Sequence, residues 1–203
     1  MATQLTFNRA RQVLRRTASK RLEPLGFRHI IELSFVRTIP EGLALIHFSI
    51  RRGSHKELCF SFGVGVRFSA VEQLLHPDDE ESLMPTVGLP ASKLLAASPF
   101  QEWCLDKHPL ALGQIDEARR LVLGAGIGFL DRYSTLSEVT AELRNDDPSH
   151  WFVLCAQERI ATLVAIEFIN GQRREATRRL QSFLDERPLL PTKKRTPLMQ
   201  LHS

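Results

Sequence analysis

The chain has 203 residues, of which 43% are hydrophobic and 25% charged, with 27 Lys and Arg residues against 23 Asp and Glu residues. This composition is typical of a folded globular protein and excludes an intrinsically disordered chain. The sequence holds no run of about 18 apolar residues that could span a bilayer. Its start lacks the apolar region of a signal peptide, so we expect a cytoplasmic protein without a membrane partner.

The charges are unevenly distributed along the chain. Basic residues dominate residues 1–28 and again residues 172–195, whereas the middle of the chain carries an acidic run at residues 78–81. Basic ends would attract nucleic acid or an acidic protein. The alternative is that each charged run solvates the outer face of its own element.

A first helix and three strands are predicted at the start of the chain. Apolar residues recur at helical spacing over about residues 8–22, and Pro24 and Gly26 follow as helix breakers. Residues 27–39, 42–53 and 56–68 then alternate apolar and polar residues with period two, which predicts an antiparallel sheet. Each strand places apolar residues such as Phe48 and Phe62 on one side.

The other side of these strands forms a predicted open polar face. Its candidate binding residues are Glu32, His47, Ser49, Arg51, Ser61 and Arg67. Side chains directly opposite on neighbouring strands lie about 5 Å apart, so this set would be close together. His47 with Ser49 or Ser61 could act as a base and a nucleophile, although no glycine-framed serine elbow accompanies them. The face could instead bind a macromolecular partner, or it could lie beneath a helix.

The middle of the chain predicts a short helix over residues 70–76, a long loop over residues 77–90 and a fourth strand over residues 100–105. Four residues of the loop complete the candidate binding surface: Asp78, Asp79, Glu80 and Glu81.

The C-terminal half predicts helices. One begins near Asp116, and the next begins at the capping box of Thr135 and Glu138. Asp147 and Pro148 predict the start of a helix that reaches residue 169, and a last helix covers residues 172–186. The predicted fold class is α+β: an N-terminal helix, a three- or four-stranded antiparallel sheet and a C-terminal helical half. We expect an α+β domain over residues 1–145, a helical hairpin packed on it over residues 146–188, and a basic tail over residues 189–203.

The cysteines and the glycine-rich segments predict neither a metal site nor a cofactor. Cys59, Cys104 and Cys155 are odd in number and far apart in the sequence, without the spacing of a zinc motif. The segments FGVGV at residues 62–66 and GAGIG at residues 124–128 lack the context of a phosphate or dinucleotide loop. We therefore expect three reduced thiols.

Four segments resemble, in order, the bacterial DUF4304 family: LEPLGF, LALIHFSIRR, LCFSFGVGV and LGAGIGFLDRYSTLSEVTAEL. Together they cover most of residues 22–143. In that family the second strand typically ends in a Phe-Gln pair, whereas Ser49 follows Phe48 here. The resemblance implies the fold, and it implies no activity because the family has none assigned.

Three functional hypotheses remain from the sequence. The first is a non-enzymatic protein that binds another macromolecule, most simply another protein, as a toxin-neutralising immunity protein does. In that case the acidic run at residues 78–81 could cover the basic site of a nuclease. The second is a nucleic-acid-associated protein that uses its basic terminal helices. The third is a hydrolase-type enzyme that uses His47 on the open face of the sheet.

Overall fold

The computed structural model describes residues 6–53, 57–78, 82–94, 102–104, 110–145, 152 and 154–186. The helices are α1 (Phe7–Leu22), α2 (Ser69–Leu75), α3 (Ala91–Leu94), α4 (Leu110–Leu121), α5 (Ile127–Arg132), α6 (Leu136–Leu143), α7 (Ala156–Ile169) and α8 (Arg173–Glu186). The strands are β1 (Arg28–His29), β2 (Ser34–Ile39), β3 (Gly42–Arg52), β4 (Leu58–Arg67), β5 (Val87–Pro90) and β6 (Trp103–Cys104). The fold class is α+β, as predicted.

The first helix forms for the reasons that the sequence suggests. The hydroxyl of Thr6 caps α1 by accepting a hydrogen bond from the backbone N–H of Arg9 at 3.4 Å. Its buried residues recur every four positions: Ala10, Leu14, Ala18 and Leu22. A short 3-10 turn containing Pro24 follows, and Gly26 then adopts a φ of +83°, which a side chain would oppose.

In the part of the chain that the structure describes, the sheet has six strands rather than the predicted three or four. Their order is β1-β2-β3-β4-β5, and β6 pairs with β4 beside β5. The strand predicted over residues 27–39 is in fact the hairpin of β1 and β2, in which Arg28 is opposite Val36. Its turn is closed by a hydrogen bond of 2.8 Å from the N–H of Ser34 to the carbonyl of Ile31. The period-two pattern runs through this turn because Ile31 is apolar, yet its side chain is 57% exposed.

Sequence reasoning missed α3 and β5, and it placed the start of α4 near Asp116 rather than at Leu110. Strand β5 lies inside the predicted loop over residues 77–90. Helix α7 begins at Ala156 rather than near Pro148, which lies outside the described residues. The observed start is capped, because the carboxylate of Glu158 accepts a hydrogen bond of 2.9 Å from the backbone N–H of Cys155.

The apolar side of the sheet is an aromatic core. The rings of Phe60 and Phe62 both stack on Trp103, with centroids 5.4 and 5.6 Å away. Phe62 also contacts Phe48, and Phe48 contacts Phe35 edge-on. All five side chains are buried, so the predicted apolar side of the strands is confirmed.

The chain forms two compact units. The first comprises Met1–Val66 and Gly88–Ser134, and the second comprises Arg67–Val87 and Thr135–Ser203. The predicted boundary at residue 145 stays a prediction, and the predicted basic tail lies outside the described residues.

The second unit contains a fully buried carboxylate. Glu167 of α7 is 0% exposed and accepts hydrogen bonds of 3.0 and 3.1 Å from the guanidinium of Arg179 on α8. Arg144 donates a further hydrogen bond of 3.0 Å to the same carboxylate. Two guanidinium groups therefore compensate the burial of this charge.

Candidate functional site

Three alternating residues of β3 form the exposed part of the polar face. His47, Ser49 and Arg51 are exposed, whereas Phe48 between them is buried and Ile50 is half-buried. Successive side chains of a strand point to opposite sides of the sheet, so the three share one side. Ser61 of β4, half-buried, joins them. The structure thus brings together four of the predicted candidate residues.

Each of these side chains is held by a neighbour from an adjacent segment. The Nδ1 atom of His47 lies 2.8 Å from the hydroxyl of Ser34 on β2, its cross-strand partner. The hydroxyls of Ser49 and Ser61 lie 2.8 Å apart. The face is therefore a set of positioned polar groups, because these hydrogen bonds restrict the side-chain rotamers.

Arg51 is held by a residue that sequence reasoning missed. Its guanidinium donates two hydrogen bonds to the carboxylate of Glu102, the residue that precedes β6. This hydrogen bonding and the charge of Glu102 raise the pKa of Arg51 above its ordinary value. A fork-like pair of this kind fixes the orientation of both groups. The two residues are 51 positions apart in sequence, so only the pairing of β4 with β6 brings them together.

A pair of thiols lies at one end of the same face. Cys59 of β4 and Cys104 of β6 are cross-strand partners, and their Sγ atoms are 3.2 Å apart. Burial, the hydrogen bond with Cys104 and the neighbouring negative charges raise the pKa of Cys59 to about 12. Glu57 lies beside the two thiols. Cys59 and Cys104 are therefore neighbours in the fold although they are 45 residues apart in the sequence, whereas Cys155 is exposed at the start of α7.

The polar face is open over only part of the sheet. Leu45, on the same side of β3 as His47, is buried, and so is its cross-strand partner Val36. Gly65 of β4 is also buried. The exposed part thus begins at His47 and extends toward Arg51.

Arg67 does not belong to this exposed part, contrary to prediction. Its side chain is buried in the second unit, where it donates a hydrogen bond of 3.0 Å to the carbonyl of Met84 and pairs with Glu72 at 3.5 Å. Glu72 in turn accepts a hydrogen bond of 2.6 Å from the hydroxyl of Thr86. The alternation of β4 predicted the side on which Arg67 lies, but the pattern carries no information about the groups that cover that end of the strand.

Glu32 is likewise not on the face. It lies in the turn between β1 and β2 with a φ of +49°, and its carboxylate is 3.8 Å from the guanidinium of Arg11. In the acidic run, Asp78 is exposed, and Asp79, Glu80 and Glu81 lie outside the described residues.

No family model, curated protein or solved structure matches this chain. The resemblance to the DUF4304 family therefore stays a prediction. Among the residues that the structure describes, every helix is too short or too polar to cross a bilayer.

Proposed function

We propose that this chain is a non-enzymatic binding protein, located in the cytoplasm, that recognises another protein through His47, Ser49, Arg51 and Ser61. The observation that carries the proposal is the preorganisation of these side chains by Ser34 and Glu102 and by the bond between the two serines. Binding loses free energy when mobile side chains are immobilised. Groups that are already held in place avoid part of this loss.

The same contacts make the hydrolase hypothesis weaker. A serine nucleophile needs a base within hydrogen-bond reach. His47 is paired with Ser34, whose side chain is buried, whereas Ser49 and Ser61 are paired with each other. These contacts therefore support a binding role of the polar face over a catalytic one.

A toxin-neutralising immunity role is the more specific form of the proposal. It is supported by the exposed Asp78 at the start of the acidic run, because negative charge would complement the basic surface of a nuclease and speed association. A partner of this kind would be cationic.

The test is a pull-down with two matched variants. The face variant is His47→Ala/Ser49→Ala/Arg51→Gln, and the control variant, Arg15→Gln/Arg16→Gln/Lys20→Gln, changes three exposed residues of α1. Wild type and both variants are incubated with nuclease-treated extract of the native host, and the captured proteins are purified and remixed. We expect a protein that binds wild type and the control variant and is lost with the face variant. Equal capture by all three would contradict the proposal.

The nucleic-acid hypothesis retains one observation in its favour. Helix α1 contains no acidic residue, and Arg9, Arg15, Arg16 and Lys20 are exposed along it. Helix α8 gives less support, because Arg179 is held by the buried Glu167 and Arg178 by Glu175. If this hypothesis holds, the α1 variant loses duplex binding that weakens with salt, and the face variant retains it.

A further inference from the structure

Three potential metal ligands converge at the end of the polar face. Cys59 and Cys104 face each other across β4 and β6, and Glu57 lies two residues before Cys59 on the same side of the chain. One ligand atom from each of the three residues lies within 4.8 Å of the other two. We propose that Glu57, Cys59 and Cys104 bind a thiophilic divalent cation, and that Zn²⁺ is the ion whose ligand preferences they match.

The distance between the sulfur atoms of the two free cysteines is compatible with metal binding. Two thiolates on a tetrahedral Zn²⁺, each at about 2.3 Å from the metal, lie about 3.8 Å from each other. A disulfide bond is about 2.05 Å long. The observed 3.2 Å between Cys59 and Cys104 is nearer to the first value, so small side-chain rotations suffice for metal binding.

The carboxylate of Glu57 is placed for such a role. Its Oε2 atom is buried and accepts no hydrogen bond from any group in the part of the chain that the structure describes. A buried carboxylate oxygen without a donor costs free energy, and a cation would compensate it.

Gly53 allows Glu57 to take this position. Gly53 and Glu57 are joined by a backbone hydrogen bond of 2.8 Å, and a Cβ atom placed on Gly53 would lie 2.2 Å from the Oε1 atom of Glu57. A side chain at residue 53 would therefore displace the carboxylate, while both thiols would remain in place.

Among the residues that the structure describes, three supply ligands, which leaves the fourth position of a tetrahedral zinc free. This is the arrangement of sites that bind an exogenous ligand, whereas purely structural zinc sites have four protein ligands. Glu57 and Cys104 are half-buried, so the ion would be reachable from solvent. The site adjoins the exposed face but does not depend on the proposed protein partner.

The test uses Co²⁺ as a spectroscopic probe for Zn²⁺. The full chain is reduced, freed of metal and titrated with CoCl₂ in the absence of oxygen. We expect one equivalent to give the thiolate-to-cobalt charge-transfer band and the intense visible bands of tetrahedral Co²⁺, and we expect Zn²⁺ to displace it. Absence of these bands, with the thiols shown to be reduced, would overturn the proposal.

Four variants locate the ion. Cys104→Ser should abolish the charge-transfer band or reduce it to a single thiolate contribution, whereas Cys155→Ser, a matched change at the exposed cysteine, should leave it intact. Glu57→Gln and Gly53→Ala should each lower the affinity for Co²⁺ at least tenfold. Circular dichroism checks that each variant is folded. A band that survives Cys104→Ser unchanged, or an affinity unaffected by both Glu57→Gln and Gly53→Ala, would contradict the three-residue site.

Discussion

Arg51 and Glu102 flank β4 along its two edges. Two hydrogen bonds from the guanidinium of Arg51 to the carboxylate of Glu102 join them across this strand. The Arg51 side chain lies at the surface, 57% exposed, and the Glu102 side chain is 17% exposed. Exposed ion pairs contribute little to stability because water solvates both charges well. The main effect of the pair is to fix the position of the Arg51 side chain on the polar face.

We therefore expect Arg51→Gln and Glu102→Gln to separate binding from folding. Both variants should unfold within a few degrees of wild type in a thermal scan. Both should weaken binding to the captured protein, because one removes the guanidinium and the other frees it to move. A large loss of thermal stability with unchanged binding would show that the pair serves the fold instead.

Glycine substitutions at two adjacent residues of the turn between β1 and β2 should change the free energy of unfolding in opposite directions. Glu32 has a φ of +49°, a conformation that costs a non-glycine residue about 1 kcal/mol or more. Glu32→Gly should therefore raise the free energy of unfolding by up to about 1 kcal/mol. Ile31→Gly, at a residue without positive φ, should lower it by about 0.5–1 kcal/mol. Urea unfolding measures both, and the same sign for the two variants would contradict the strain at Glu32.

Removal of the buried charge at Glu167 should be strongly destabilising. Glu167→Gln removes a fully buried carboxylate that accepts hydrogen bonds from Arg144 and from the half-buried Arg179. Because hydrogen bonds to a charged group contribute about 1.5–3 kcal/mol each, we expect a cost of about 3 kcal/mol. Glu175→Gln is the matched control, because Glu175 pairs with Arg178 and Arg179 at the surface of α8. That variant should unfold close to wild type in urea. Equal stability of the two variants would show that Glu167 does not anchor α7 to α8.

Stability at alkaline pH should depend on Cys59. The pKa of Cys59 is raised to about 12 in the folded protein. A cysteine thiol in an unfolded chain has a pKa of about 8.5. The folded state thus holds this proton more tightly, and the resulting stabilisation is complete below about pH 8.5 and lost as the pH rises toward 12.

The measurement is urea unfolding of the reduced, metal-free protein from pH 7 to 10.5. Relative to Cys59→Ala, the free energy of unfolding of wild type should fall by up to about 1.4 kcal/mol per pH unit above about pH 8.5. Cys155→Ser should follow wild type. Parallel profiles for wild type and Cys59→Ala would mean that the thiol of Cys59 titrates as it does in the unfolded chain.

The sequence predicted the strands that carry the candidate site, and the structure shows why. Alternation with period two places Phe48 inside and His47 and Ser49 outside, because one side of β3 packs on the aromatic core. The same pattern failed over residues 27–39. An apolar residue in a turn, Ile31, continues the alternation although the chain reverses there.

The rest of the site depends on contacts between segments distant in sequence. Cys59 is 45 residues from Cys104, and Arg51 is 51 residues from Glu102. Both pairs form only because the short strand β6 pairs with β4. The sequence predicted a strand over residues 100–105, but no periodic pattern indicates which strand it pairs with. The burial of Arg67 likewise follows from Glu72 and Met84, which no local pattern connects to it.

We propose that the exposed polar side of β3 is a protein-binding surface. Its most direct test is the affinity of the purified captured protein for wild type, the His47→Ala/Ser49→Ala/Arg51→Gln variant and the α1 variant, measured by titration calorimetry. We expect a loss of at least tenfold for the β3 variant and an affinity within twofold of wild type for the α1 variant. Undiminished affinity of the β3 variant would contradict it.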